Sequence, residues 1–170
     1  ACFLSYLKIF RAAKRSYDNT FLSFEDDIVF QNIKPGDLED IFKAQMLDSL
    51  GFFSHTHPCL LGIGTATPLS KEQFSKQSIK WIQGDGSPSN TCFAFNRSFA
   101  RLALAEYTKI TTTVDIYIHR DLPQQKDCQS WALSPRLIFD RSWHEGSVSS
   151  TIHPKPHYLA KLDNQQIHAK

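Results

Sequence analysis

The run FLSFEDDIVF, residues 21–30, places the strictest condition on this chain: apolar side chains flank three consecutive carboxylates, Glu25, Asp26 and Asp27. Unbroken Phe, Leu, Ile and Val suit a buried strand, whereas adjacent acids repel one another and lose hydration when enclosed. Both demands are met if the strand ends where the acids begin, so that they reach solvent at its carboxyl end. A divalent cation would offset the repulsion. Magnesium takes oxygen ligands from one or two carboxylates and completes its shell with phosphate oxygens and water, and manganese suits the same donors. A solvated acidic strand end without a ligand is the alternative, and spacing alone does not choose between them.

Helical and extended segments surround this run. Phe3, Leu4, Leu7 and Phe10 recur at helical spacing opposite Lys8, Arg11, Lys14 and Arg15, which predicts an amphipathic helix over 2–16. Asn32, Pro35 and Gly36 interrupt the chain, and Asp37 is placed to cap a helix carrying Leu38, Ile41, Phe42 and Met46. PCLLGIG reads as a short strand. Residues 64–90, rich in Ser, Thr, Lys, Gln, Gly and Pro, have weak periodicity, and most of them read as a long mobile connection, a flap over a ligand cleft with Gly84 and Gly86 as hinges. TCFAF is a strand, and Asn96 caps a helix with Phe99, Leu102, Ala103 and Tyr107 on its apolar face. VDIYI and LSPRLIF read as two further strands, and the residues from 153 onward as a polar tail. Strands separated by helices predict an α/β layered domain over residues 1–152 with a mainly parallel sheet, whose ligands bind beyond the strand carboxyl ends.

Composition narrows the function. A chain of 170 residues, 41% hydrophobic and 21% charged, can bury one core without disulfides. A net charge of +2 is too small for the basic field of a nucleic-acid binder, so no nucleic-acid partner is expected. Four dispersed cysteines form no Cys-x-x-Cys pair and read as reduced, buried thiols. No segment approaches the roughly 20 apolar residues of a membrane span. A cytoplasmic protein, at most peripheral to a membrane, is expected.

The blocks ACFLSYLKIF, FLSFEDDIVF, TCFAFNRSFARLAL, TTTVDIYI and SWALSPRLIF, in that order, resemble successive blocks of glycosyltransferase family 25. That family includes bacterial lipooligosaccharide galactosyl- and glucosyltransferases and the procollagen galactosyltransferases. The resemblance covers about residues 1–150. It implies a GT-A-like α/β fold and an inverting transfer of a hexose from a UDP-sugar to an acceptor hydroxyl on a glycan or glycoconjugate. It also implies Mn2+ or Mg2+ as cofactor, with Asp26 and Asp27 as the metal-proximal acids and Glu25 and Asp26 facing the donor. Two features depart from the pattern. Tyr6 stands where the family has histidine after Ser5, and no counterpart of the family's upstream strand–helix unit precedes the first block. An N-terminally incomplete transferase is therefore expected, with weak turnover and an exposed sheet edge open to dimerisation by strand pairing.

An inverting transfer needs a base beside the acceptor hydroxyl, and Asp115 on VDIYI is the candidate, with a helix cap or salt-bridged acid as its alternative. His144 is the candidate for a late metal ligand, with His119 as runner-up. His55 and His57 form a weaker chelating pair, and Trp131 and Trp143 read as core residues in preference to sugar platforms. Ser147, Ser149 and Ser150 suit phosphate or hydroxyl contacts, although serine-rich loops are common without a ligand. The Asn96-Arg97-Ser98 sequon reads as structural. Two other functions compete. A magnesium-dependent phosphoryl-transfer or hydrolytic enzyme would need a phosphate-cradling glycine loop or a nucleophile elbow, and neither is visible. A non-catalytic carbohydrate-binding or scaffold relative would retain the fold without turnover.

Overall fold

The computed structural model describes residues 2–26, 28–30, 35–65, 78–84, 89–124 and 127–140. Within them the chain is a mixed α/β fold. The first helix, α1 (Cys2–Arg15), buries Tyr6, Leu7, Phe10 and Ala13 and leaves its basic residues exposed. The stripe is rotated from the expected one: Leu4 is exposed, because the face holding Phe10 continues through Tyr6 and Ala13 at i−4 and i+3. Strand β1 (Thr20–Phe24) ends where the acids begin, and Ile28–Phe30 forms a separate short strand, β2. Two short helices follow, α2 (Pro35–Ile41) and α3 (Ala44–Ser49). The first starts at Pro35, whose fixed φ suits an opening turn, so Asp37 lies inside the helix and is not its cap.

Strands β3 (Cys59–Gly62) and β4 (Gly64–Thr65) come next, then β5 (Lys80–Gln83) and β6 (Cys92–Asn96). β5 falls within the connection expected to be a mobile flap. Its backbone pairs with a neighbouring strand, and Trp81 Nε1 donates to Ile41 O at 3.1 Å. That reading is therefore corrected for 78–84, and also for the buried Ser89 and Asn90; residues 66–77 and 85–88 lie outside the described residues.

Helix α4 (Arg97–Glu106) begins at its expected cap, Asn96, whose side chain accepts from Phe99 N. VDIYI is helical and not a strand. Val114–Ile116 forms α5, which runs on as a π-helical segment, Tyr117–Asp121. Tyr117, Ile118 and Leu122 are buried beside the partly buried Val114, a stripe at i, i+3, i+4 and i+8 that helical geometry satisfies and a strand would split between two faces. LSPRLIF also divides, into β7 (Gln129–Ser134) and β8 (Ile138–Asp140), on either side of Pro135, which has no N–H for a ladder.

The main sheet has the order β1-β6-β3-β7-β5, and β2-β8-β4 form a smaller one. The expectation of a mainly parallel sheet is corrected. Among the described residues only β3–β7 and β4–β8 pair in parallel, and the other neighbours are antiparallel. β6 runs against both of its neighbours, β1 and β3, and β5 runs against β7, so the five strands alternate in direction except where β3 and β7 pair. Alternate residues of the main sheet feed two cores: Leu60, Phe93 and Phe95 pack under α1, α4 and α5, whereas Leu61, Cys92 and Ala94 join Ile41, Leu50 and Leu137 on the other face. Every residue of β3 and β6 is buried, as befits strands covered on both sides. Among the described residues no helix is long and apolar enough to cross a membrane.

Candidate functional site

Strands β1, β3 and β7 point the same way, because β1 and β3 are both antiparallel to β6 and β7 is parallel to β3. Their carboxyl ends meet the residues that lead into β6. The Glu25 amide donates to Thr91 O at 3.1 Å, which extends the β1–β6 ladder into the acidic turn. Glu25 is half-buried, while Asp26 beside it is exposed. Asp27 lies outside the described residues, as does His144.

Beneath this turn is a buried polar chain. Asn90, 3% exposed, donates from Nδ2 to Asp115 Oδ1 at 2.6 Å, and its Oδ1 lies 3.2 Å from His119 Nε2. A carboxylate only accepts, so the Asn90 amide nitrogen must face Asp115 and its oxygen must face the imidazole. His119 therefore carries its proton on Nε2. Ser89 and Thr91 flank Asn90 with their hydroxyls 2.8 Å apart. The His119 ring also meets Phe93 edge-on, with centroids 5.2 Å apart, so the network is anchored to the aromatic core.

Two further features complete the edge. A Cβ on Gly62, the last residue of β3, would run into Nη1 of Arg136, so the missing side chain leaves the place where that guanidinium lies. A Cβ on Gly64 would sit 2.6 Å from the Cys92 backbone nitrogen, and only glycine allows this approach of β4 to β6. Ile63 N donates to Cys92 O and Leu137 N to Ile63 O, which joins the two sheets at the same edge.

Burial lowers the His119 pKa to about 3, and the Arg136 charge acts in the same direction. The imidazole is thus neutral at physiological pH. From the ordinary value of 6.5 down to about 3 the unfolded chain binds a proton that the folded chain does not, so stability falls as pH drops through this window. The expected slope is about 1.4 kcal/mol per pH unit for this group. Urea unfolding between pH 7.5 and 4.5 should show it, and His119→Gln, which keeps a donor to Asn90 Oδ1, should flatten the profile by that amount. An unchanged slope in the variant would refute the assignment.

No protein-family model and no curated protein matches this chain. The assignment of chemistry to the edge thus stands on its own residues.

Of the residues singled out from sequence, the fold brings Glu25, Asp26 and Asp115 to one edge. Asp115 arrives there on a helix, not on the expected strand. His119, the runner-up metal ligand, has Nε2 engaged with Asn90, and among the described residues no group of three metal-ligating side chains occurs. His55 and His57 lie in an exposed loop, and His57 Nδ1 is 3.0 Å from Thr56 Oγ1. Trp131 donates from Nε1 to Leu50 O at 3.2 Å, as a core residue does, whereas Trp143, Ser147, Ser149 and Ser150 lie outside the described residues. The sequon Asn96 is wholly buried, in keeping with its structural reading. Cys59 and Cys92 are free and buried, and burial pushes both thiols up to about 12, so neither supplies a thiolate. Sequence reasoning missed Asn90 and Arg136. The available signal was the i, i+4 spacing of Asp115 and His119, which puts both on one side of a helix once 114–121 is read as helical.

Proposed function

We propose that this domain is a GT-A-like hexosyltransferase, related to glycosyltransferase family 25, which moves a sugar from a UDP-sugar to an acceptor hydroxyl with inversion. The observation that carries the reading is the position of the acidic turn: Glu25 and Asp26 follow β1 directly and are tied through Thr91 to the network of Asn90, Asp115 and His119. Ligands of layered α/β sheets bind at such carboxyl ends.

The carboxylates suit a hard cation, since magnesium or manganese needs only one or two acidic ligands when phosphate oxygens supply others. Glu25, Asp26 and Asp27 would hold Mn2+ or Mg2+, with His144 as a late ligand of the kind many metal-dependent transferases use. When bound, such an ion supplies charge neutralisation at the departing diphosphate. The chain's own groups do the rest. Asp115 accepts the proton of the acceptor hydroxyl, and Asn90 fixes the orientation of that carboxylate through its Nδ2. Neutral His119 holds Asn90 in place through its Nε2–H and adds no charge to the site. Arg136, lying over Gly62, supplies a cation for the phosphates at the same edge.

Release of UDP from a panel of UDP-sugars, with and without manganese, tests the proposal. Manganese-dependent release that disappears in Asp26→Ala is the expected result, and Asp26 is exposed, so its removal leaves the fold intact. Manganese-dependent binding of a UDP-sugar without release would favour the non-catalytic carbohydrate-binding reading. Absence of both would overturn the proposal.

A further inference from the structure

The outer face of the α1–α4 pair contains a shallow cavity of about 310 Å3 lined by Arg11, Lys14, Arg15, Leu104 and Tyr107. Arg11, Lys14 and Arg15 stand at i, i+3 and i+4 on α1, so three like charges crowd one exposed face. Among the described residues none of the three takes part in an ion pair or a side-chain hydrogen bond. Glu106, one residue before Tyr107, is engaged by Lys109 at 2.6 Å. The negative end of the helix dipole accounts for Lys14 and Arg15 in the last turn. It does not account for Arg11 one turn earlier, nor for the exposed aromatic ring of Tyr107 beside the half-buried Leu104 in the same hollow.

We propose that this cavity is a binding site for a phosphate monoester, with the phosphate held by Arg11, Lys14 and Arg15 and its organic part lying over Tyr107 and Leu104. The chemistry matches in both halves. A phosphate monoester carries nearly two negative charges and three acceptor oxygens, which two guanidinium forks and an ammonium satisfy, whereas a single carboxylate would leave most of the positive charge unbalanced. Tyr107 offers a ring face and Leu104 an aliphatic surface to the group that bears the ester. The volume lies at the lower end of small-molecule sites, about 300–1,000 Å3, and suits one phosphorylated ring or headgroup. This site is separate from the acidic turn and does not depend on the transferase reading.

Calorimetric titration of the whole chain with phenyl phosphate and with inorganic phosphate tests it, in EDTA so that no cation at the acidic turn contributes. Phenyl phosphate should bind more tightly than inorganic phosphate. Arg11→Ala/Lys14→Ala should weaken it by about tenfold or more, the effect of losing charge-assisted hydrogen bonds. Tyr107→Ala should bring phenyl phosphate down to the level of inorganic phosphate, and Lys80→Ala on β5 should change neither. A second arm distinguishes the source of the ester: flotation with phosphatidylcholine vesicles with or without phosphatidic acid. Binding confined to the phosphatidic acid vesicles and lost in Arg11→Ala/Lys14→Ala identifies a lipid headgroup and upholds the site. The replaced side chains are exposed, so unchanged melting temperatures should show that the variants remain folded. No binding in either arm, or equal binding by wild type and the double variant, overturns the proposal.

Discussion

Asn96→Ala is expected to lower the unfolding free energy by about 4 kcal/mol, a large share of the stability of a domain this size. The side chain is wholly buried and uses both ends of its amide. Oδ1 accepts from Phe99 N at 2.9 Å, capping α4, and from Cys59 N at 3.1 Å, at the start of β3. Nδ2 donates to His57 O at 2.8 Å and Ser54 O at 3.0 Å. One residue thus joins β6, α4, β3 and the loop before β3. Alanine removes the cap, which costs about 1 kcal/mol, and strips the Cys59 amide and the His57 carbonyl of these partners at about 1–3 kcal/mol each. Ser54 O retains the Asn19 amide at 3.3 Å and loses less. Asn96→Asp should be at least as damaging, because a carboxylate would face two carbonyl oxygens with no proton to offer. Urea denaturation at pH 7 measures both. A loss below about 1 kcal/mol in each variant, the size of a simple exposed cap, would refute the four-way role.

Asp115→Asn is expected to lower turnover by about 10²- to 10⁴-fold, the usual contribution of a positioned proton acceptor, while UDP affinity stays close to that of wild type. This expectation rests on the transferase reading. The carboxylate belongs to the first turn of a helix and is held through Asn90, whereas on that reading the donor's phosphates would meet the acidic turn and Arg136. Its removal should therefore appear in kcat and not in donor binding. Asn90→Ala should give a smaller fall in kcat, because the carboxylate remains but loses its orientation. His119→Gln keeps a donor to Asn90 and should stay close to wild type. Pre-steady-state transfer assays with UDP titrations separate these effects. A wild-type rate in Asp115→Asn would move the proton acceptor elsewhere, and a parallel loss of UDP affinity would make Asp115 a donor-site residue.

Much of the local structure was legible in the residues themselves. The end of β1 at the acids was readable because adjacent carboxylates interrupt the apolar run, but the strand is an edge strand with Leu22 and Phe24 exposed and not the buried strand expected. The Asn96 cap was readable because an amide before an apolar helical stripe leaves a short list of partners. The basic face of α1 followed from periodicity alone. Each of these depends on neighbours within a few residues, which is the range over which sequence pattern constrains the backbone.

The tertiary structure decided the rest. Val, Ile and Tyr in VDIYI favour a strand by local preference, yet Ile118 and Leu122 reach the same core only if the segment is helical, and that core is assembled from α1, β6 and α4, distant in sequence. The mixed character of the sheet likewise lies in which strands pair, with β6 antiparallel to β1 and β3, and β5 antiparallel to β7. Residues 80–83 lack an apolar run and became a strand because β7 offered an open ladder and Ile41 a carbonyl for Trp81. Asn90, Asp115 and His119 lie up to 29 residues apart and become a hydrogen-bonded chain only where α5 packs against the lead into β6. Sequence by itself determined which segments could be buried and where charge must surface; which buried segments became neighbours, and therefore which polar groups share a site, depended on long-range packing, whose energy no local pattern contains.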